Sequence, residues 1–383
     1  MATTTLWTYR DALDHLLDWQ GSGSADATGL RKAKRAILAA YNDLSTAKLW
    51  SYYYQRGRIS TVDDYSTGTI TYTNSTRNCV LASGTWPSWA ARGVIQIAEV
   101  EYQVASRTDG TTIVLSVNAN PGADVAAGTA YKIYQDTYTL PVDFTALGEV
   151  RDVANGIWLE HVEPDAWHVL HTNADTPSQP LWFCIRQDPD YQGVLGMSLY
   201  PPPDAIYRLD FMYRRQPRRL LVPQYTTGTV TTSSTAVTGT GTVFPANCAG
   251  SVIRFGADGT TAPTGVAGAN PFGSERIITV RGGDTSLTID SALTAELTAV
   301  KYEISDPIDL EQGAMFAAFL RRAEYELGNL NVLDEKRQAL LISRMRAAEI
   351  IAREADNRVF SKRTGRWYDR LNRSFDISSM EPT

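Results

Sequence analysis

Glu160, His161, His168 and His171 are the one group of residues in this 383-residue chain whose types suit a metal ion. His168 and His171 stand three apart, which would place both on one helical face. Zinc sites need three or four ligands at defined spacing. Pro164 and Trp167 suit a packed turn equally well. No nucleophile motif accompanies the cluster: there is no G-x-S-x-G elbow, no P-loop and no H-E-x-x-H. The G-x-G at Gly239 and Gly241 lacks a third glycine and a following helix, so it reads as a turn between strands. The acid pairs Asp63/Asp64 and Asp188/Asp190 lie beside turn signals and read as solvated loop acids. Glycosidase chemistry would need two carboxylates facing across a cleft. No catalytic set, metal or cofactor is expected, and the chain does not read as an enzyme.

The C-terminal segment has a different chemistry. Phe360, Lys362, Arg363, Arg366, Trp367, Tyr368, Arg370, Arg373 and Phe375 interleave aromatic rings with cations. Residues 357–383 hold no core of their own, which predicts an extended arm that orders against a partner. Trp, Tyr and Arg are the usual anchors of a protein interface; nucleic acid is the alternative partner, and a solvated tail the third reading. A second basic cluster, Tyr213, Arg214, Arg215, Arg218 and Arg219, reads as a solvated strand edge that discourages sheet pairing, with a subunit contact as the sharper alternative.

The elements that must position these residues divide the sequence into six stretches. Residues 1–65 hold N-terminal helices and a lead-in strand. Leu6, Tyr9, Leu13, Leu16 and Leu17 recur at helical spacing, with Thr8 and Asp11 placed as a capping box. Leu30, Ala33, Ile37, Tyr41 and Leu44 make the stripe of a second helix, and Tyr52 to Ile59 reads as a strand. Residues 66–136 form a first β module, 137–224 a central strand group, and 225–306 a second β module. In the central group, Pro164 to His171 reads as a turn or two of helix. Strands are expected at Leu181 to Ile185, Leu195 to Tyr200 and Tyr207 to Tyr213, the last two joined as a hairpin through Pro201 to Asp204. Residues 307–356 are helical again, with Asp309 and Gln312 as an N-cap pair. Phe316, Phe319, Leu320, Ala323 and Leu327 form one stripe there; Leu341 and Met345 begin another. Residues 357–383 are the arm.

The two modules are copies of one another, about 160 residues apart. YSTGTIT at Tyr65 answers YTTGTVT at Tyr225, GTWP at Gly84 answers GTVFP at Gly241, and YKI at Tyr131 answers YEI at Tyr302. Two copies at so long a period exclude a solenoid. The second copy adds a glycine-rich stretch, Gly256 to Gly273, which reads as an exposed loop. The expected fold is α+β: a discontinuous helical-bundle frame with a central strand group and two inserted small all-β modules, barrel or sandwich.

A formal charge of −6 does not suit a general nucleic-acid binder. Cys79, Cys184 and Cys248 are too few and too scattered for a disulfide framework, which predicts a reducing compartment. Arg10, Asp11 and Asp14 occupy the place where a signal peptide needs apolar residues. No run of 18 apolar residues exists, so no spanning helix is expected.

With these elements placed, LPVDF at Leu140, LYPPPD at Leu199 and YRLDFMYRRQPRRL at Tyr207 resemble the head-to-tail adaptor (connector) proteins of tailed bacteriophages. The order of helices, strand group, helices and arm resembles them too. The resemblance covers about half the chain and implies a homo-oligomeric, dodecameric ring that joins the portal protein to the tail nozzle or tube. It implies a channel through which DNA passes without specific binding, a place in the virion at the portal–tail junction, and assembly in the host cytoplasm without a membrane. Carried over, the arm residues above would bind the portal, and the helices bearing Leu30, Ile37, Tyr41, Phe316, Phe319, Leu341 and Met345 would form the subunit contacts. The modules would face outward to dock the nozzle, a tail fibre or a tailspike. The competing reading is a receptor- or carbohydrate-binding tail component, with exposed Trp86 and Trp89 stacking on sugars.

Overall fold

The computed structural model describes residues 6–21, 26–171, 175–264, 269–331 and 334–361. The elements run α1 (Tyr9–Gln20), α2 (Ala27–Thr46), β1 (Tyr54–Ser60), β2 (Thr69–Thr73), β3 (Asn78–Ala82), β4 (Val94–Ile97), β5 (Val100–Arg107), β6 (Thr112–Leu115), β7 (Val125–Thr129) and β8 (Tyr131–Tyr134). They continue β9 (Thr137–Thr139), β10 (Phe144–Asp152), β11 (Trp158–His161), α3 (Pro164–Leu170), β12 (Trp182–Gln187), β13 (Leu195–Tyr200) and β14 (Arg208–Arg215). The last are β15 (Thr229–Ser233), β16 (Ala236–Thr240), β17 (Val252–Phe255), β18 (Ser274–Arg281), β19 (Ser286–Ile289), β20 (Tyr302–Ser305), α4 (Ala314–Leu330) and α5 (Glu335–Ser361). The chain is α+β, and it divides into two compact units: Tyr53–Gln216, and Met1–Tyr52 with Pro217–Thr383.

The first unit holds the first module and the central sheet. The central sheet has the order β1-β14-β10-β11-β12-β13-β9. Alternation along β14 sends Leu209, Phe211 and Tyr213 into a core with Ile59, Val150 and Leu199, while Arg208, Asp210, Met212 and Arg214 take the other face. Gly57 of β1 lies against the Phe211 ring, where a Cβ would come within 2.3 Å of a ring carbon. Only glycine lets the two strands approach so closely.

Two expectations fail in this sheet. Pro201 to Asp204 does not close a hairpin, because β13 pairs with β12 and β9 whereas β14 pairs with β1 and β10. β14 is therefore an interior strand, and the basic cluster that begins at Tyr213 is not a strand edge. The cause is one long-range pairing: β1, some 150 residues earlier in the sequence, covers one side of β14 in register from Tyr54↔Arg214 to Ser60↔Arg208.

The two module sheets share one strand order. β2-β3-β6-β5-β4-β8 in the first copy matches β15-β16-β19-β18-β17-β20 in the second, and β7 is an addition to the first. In each copy the residue leading into the first strand bridges to the last strand, Tyr65 to Ile133 and Tyr225 to Ile304, which curls the sheet on itself. Equivalent aromatic trios fill the curl: Tyr65, Trp86 and Tyr131 in one, Tyr225, Phe244 and Tyr302 in the other. The last tyrosine of each trio donates its hydroxyl to a backbone carbonyl, Tyr131 to Thr67 at 2.8 Å and Tyr302 to Thr227 at 2.6 Å. Arg107 and Arg281 each donate two hydrogen bonds to the carbonyl of the central aromatic, Trp86 or Phe244. The copies differ between their fourth and fifth equivalent strands. Ala98 and Glu99, both left-handed, make a two-residue turn between β4 and β5. The stretch from Gly256 to Gly273 replaces that turn between β17 and β18.

The second unit holds the second module and the helices. Thr8 and Asp11 form the capping box of α1 as expected. α2 is capped by Asp26, and its Tyr41 meets Phe319 of α4 edge-on at 6.3 Å. α4 begins at the uncapped Gly313, not at an Asp309–Gln312 pair. Asp309 is engaged elsewhere, accepting from the Arg218 amide at 2.9 Å and the Tyr52 hydroxyl at 3.0 Å. α5 continues past the expected end near 356 because tertiary contacts hold its last turns: Asp356 pairs with Lys48 at 2.7 Å and accepts from the Ser51 amide at 2.9 Å.

Arg254 joins the module to α1. It is 1% exposed, and its guanidinium donates to both Asp11 oxygens at 2.9 and 2.8 Å, to the Leu6 carbonyl at 2.7 Å and to Glu275 at 3.2 Å. Phe272, from the inserted stretch, lies under it at 4.5 Å. Burial works against the charge of Arg254, but the bonds and charges of Asp11 and Glu275 outweigh it and raise its pKa further. Removing one partner of such a pair strands a buried charge, at about 3–5 kcal/mol. Asp11→Ala should therefore lower unfolding stability by about that amount in urea melts, and adding Arg254→Met should restore much of the loss.

Candidate interaction surfaces

The metal-like cluster does not come together. His171 Nδ1 faces Asp175 at 2.6 Å, while His161 lies over the Phe183 ring at 5.2 Å and near Glu163 at 3.7 Å. Among the described residues no three His, Cys, Asp or Glu side chains gather to hold an ion. Cys79, Cys184 and Cys248 are all free and buried.

Asp188 is not a solvated loop acid. It is buried and accepts from Arg92 at 2.7 Å and from the Thr139 hydroxyl at 2.8 Å. Arg92 also reaches Asp190 at 2.6 Å. Burial pushes the Asp188 carboxyl up, but Thr139, the Asp190 amide and Arg92 outweigh it and hold it below the usual range. This set ties the first module to the central sheet. The sequence showed only two acids beside a turn; their arginine lies nearly 100 residues away.

Trp86 is not an exposed sugar platform. It is buried in the module core with its indole donating to the Thr111 carbonyl at 3.0 Å, and Trp89 packs partly buried against the same core.

Of the residues expected at subunit contacts, Ile37, Tyr41, Phe316, Phe319 and Leu341 are buried inside the chain, and Leu30 and Met345 are half-buried. The outward residues of these helices include Leu38, Leu340, Ile350 and Ile351, the last two 57% and 60% exposed. Lys362, Arg363, Arg366, Trp367, Tyr368, Arg370, Arg373 and Phe375 lie outside the described residues, and Phe360 is described only through the helical backbone of α5. α5 carries the chain up to that segment. Sequence reasoning missed a cleft of about 170 Å³ where α5 passes the start of α4, lined by Trp50, Tyr52, Glu311, Met315, Ala352 and Asp356.

One buried acid stands out in the second unit. Glu303 of β20 sits opposite Arg254 in the sheet. One carboxylate oxygen accepts from Gln224 at 2.9 Å; the other has no hydrogen-bond partner among the described residues. Burial raises its pKa to about 7, and Asp11 adds to the rise, against Gln224, Arg10 and Arg254, which favour the charged form. An unfolded chain would ionise Glu303 near 4.5. Between these values the folded state holds the extra proton, so stability falls as pH rises from about 4.5 to 7 and then levels. Glu303→Gln lacks this dependence. Its stability relative to wild type should rise by roughly 2–3 kcal/mol between pH 5 and pH 8, read from paired urea melts.

Comparison with protein-family models, with curated proteins and with solved structures returns no match to this chain.

Proposed function

We propose that the chain is a structural assembly protein of the head-to-tail adaptor kind, a subunit of a dodecameric ring between a phage portal and its tail. The observation that carries this reading is α5. It is a 27-residue helix in which, among the residues whose side chains are described, only Leu341 and Ala352 of the apolar ones are buried, and it leaves Leu340, Ile350 and Ile351 outward beside Arg344, Arg346 and Arg353. A helix with so little of its surface covered is completed by a partner. It leads directly into the aromatic and basic segment 362–383, whose residue types are those of interface anchors. In this reading the helices and the central strand group form the ring frame, the arm enters the portal, and the modules present outward surfaces to the nozzle, a fibre or a tailspike. DNA passes through the channel without specific binding. No helix among the described residues is long and apolar enough to cross a membrane.

The carbohydrate-binding alternative loses its main support with the burial of Trp86.

Native mass spectrometry of the purified chain, alone and mixed with its portal, tests the reading. The expected result is a shift from 42.2 kDa to a portal complex with about twelve copies, abolished by ending the chain at Ser361. A monomer or trimer indifferent to the portal would refute it.

A further inference from the structure

The outer face of the central sheet is a patch of arginines. Alternation places Tyr54, Arg56, Arg58 and Ser60 of β1 on that face, opposite Arg214, Met212, Asp210 and Arg208 of β14. One row crosses four strands: Arg58, Asp210, Arg151 of β10 and Trp158 of β11 are successive register partners. Arg56 and Arg58 are 58% and 56% exposed, and Arg208 and Arg151 are exposed too. A single carboxylate, Asp210, stands among them. It is paired with both Arg56 and Arg58, the latter at 2.9 Å. Two further acids follow along the same face: Glu149, two residues before Arg151 in the bulge of β10, and Glu160, two residues past Trp158, which accepts from the Trp182 indole.

We propose that this face binds the phosphate backbone of duplex DNA without reading its sequence. The cations are all arginines, whose planar donors match phosphate oxygens in pairs. They are held on a rigid sheet at strand spacing, about 7 Å between Arg56 and Arg58 and about 5 Å between strands. A protein partner would need an apolar centre; the exposed apolar residue of β14, Met212, instead lies between Arg56 and Arg214. A single strand would need a run of open aromatic platforms; here Arg151 already stacks on Trp158 at 5.4 Å, and Tyr54 stands apart from it at the start of β1. The chain as a whole carries −6, so the contact is local to this face and salt-sensitive. This inference stands on the face alone and does not depend on the adaptor reading.

Fluorescence anisotropy of the full chain with a short labelled duplex tests it. With Arg56, Arg58, Arg151 and Arg208 each meeting a phosphate, affinity should fall on the order of 100-fold between about 50 and 200 mM salt. R58E/R208E, exposed substitutions whose fold is checked by circular dichroism, should weaken binding at about 50 mM salt by more than about tenfold and reduce the salt slope by about two. D210N should tighten binding, a gain that misfolding cannot produce. No binding by the wild type at low salt would overturn the proposal, as would an unchanged R58E/R208E. Displacement of the duplex by polyglutamate as effectively as by unlabelled duplex would overturn it in favour of an acidic protein segment. Portal assembly by R58E/R208E, read by mass, reports on the adaptor reading separately.

Discussion

A charged guanidinium with 1% of its surface in contact with solvent sits where the second β module meets the first helix. Arg254 is tolerated there because Asp11, Glu275 and the Leu6 carbonyl satisfy it from different sides. Asp11 in turn is fixed by the capping box that begins α1. One carboxylate thus ends a helix correctly and neutralises a strand's arginine. Ion pairs of this kind are poor sources of net stability but severe penalties when broken. They specify one docking of module on helix and exclude others. Asp306 ties the end of the module to the segment before it, its carboxylate accepting from Ser251, Arg218 and the Leu221 and Val222 amides, while its carbonyl accepts from the Tyr9 amide of α1 at 2.7 Å. Gly250 beside it has φ +82°, a left-handed conformation that strains any other residue, and the Arg218 guanidinium lies close over it.

The duplication shows what a small β module must keep and what it can change. Both copies keep the aromatic trio, the bridge that curls the sheet and the arginine on the central carbonyl. These features lie inside the module and depend on nothing else. The docking contacts differ completely. The first copy uses Arg92 on Asp188 and Asp190; the second uses Arg254 on Asp11 and Arg218 on Asp306. Gln96 stands in the first copy at the place of Arg254, paired to Lys132 in the sheet as Arg254 is paired to Glu303.

Local and periodic features were legible in the sequence. The capping box at Thr8, the stripe through Ile37 and Tyr41, and the matched Tyr65/Tyr225 and Tyr131/Tyr302 positions all depend on near neighbours or on repetition. Features set by long-range pairing were not. Nothing near Tyr213 tells that β1 will cover β14, so an interior strand looked like an edge. Nothing near Asp188 tells that Arg92 will reach it. Trp86 looked available for sugars because its burial depends on strands on both sides of it. Net charge hides placement in the same way: a chain at −6 still gathers Arg56, Arg58, Arg151 and Arg208 on one sheet face, because alternation and register sort charges that composition only sums.

The long final helix of the second unit turns Leu340, Ile350 and Ile351 outward, and the functional account rests on a partner covering them. Hydrogen–deuterium exchange on the chain, alone and mixed with portal protein, tests this most directly. The account predicts slower exchange through residues 335–361 and the segment 362–383 on mixing, with the strands of both modules unchanged. Protection confined to the modules, with α5 exchanging as fast as in the free chain, would contradict it.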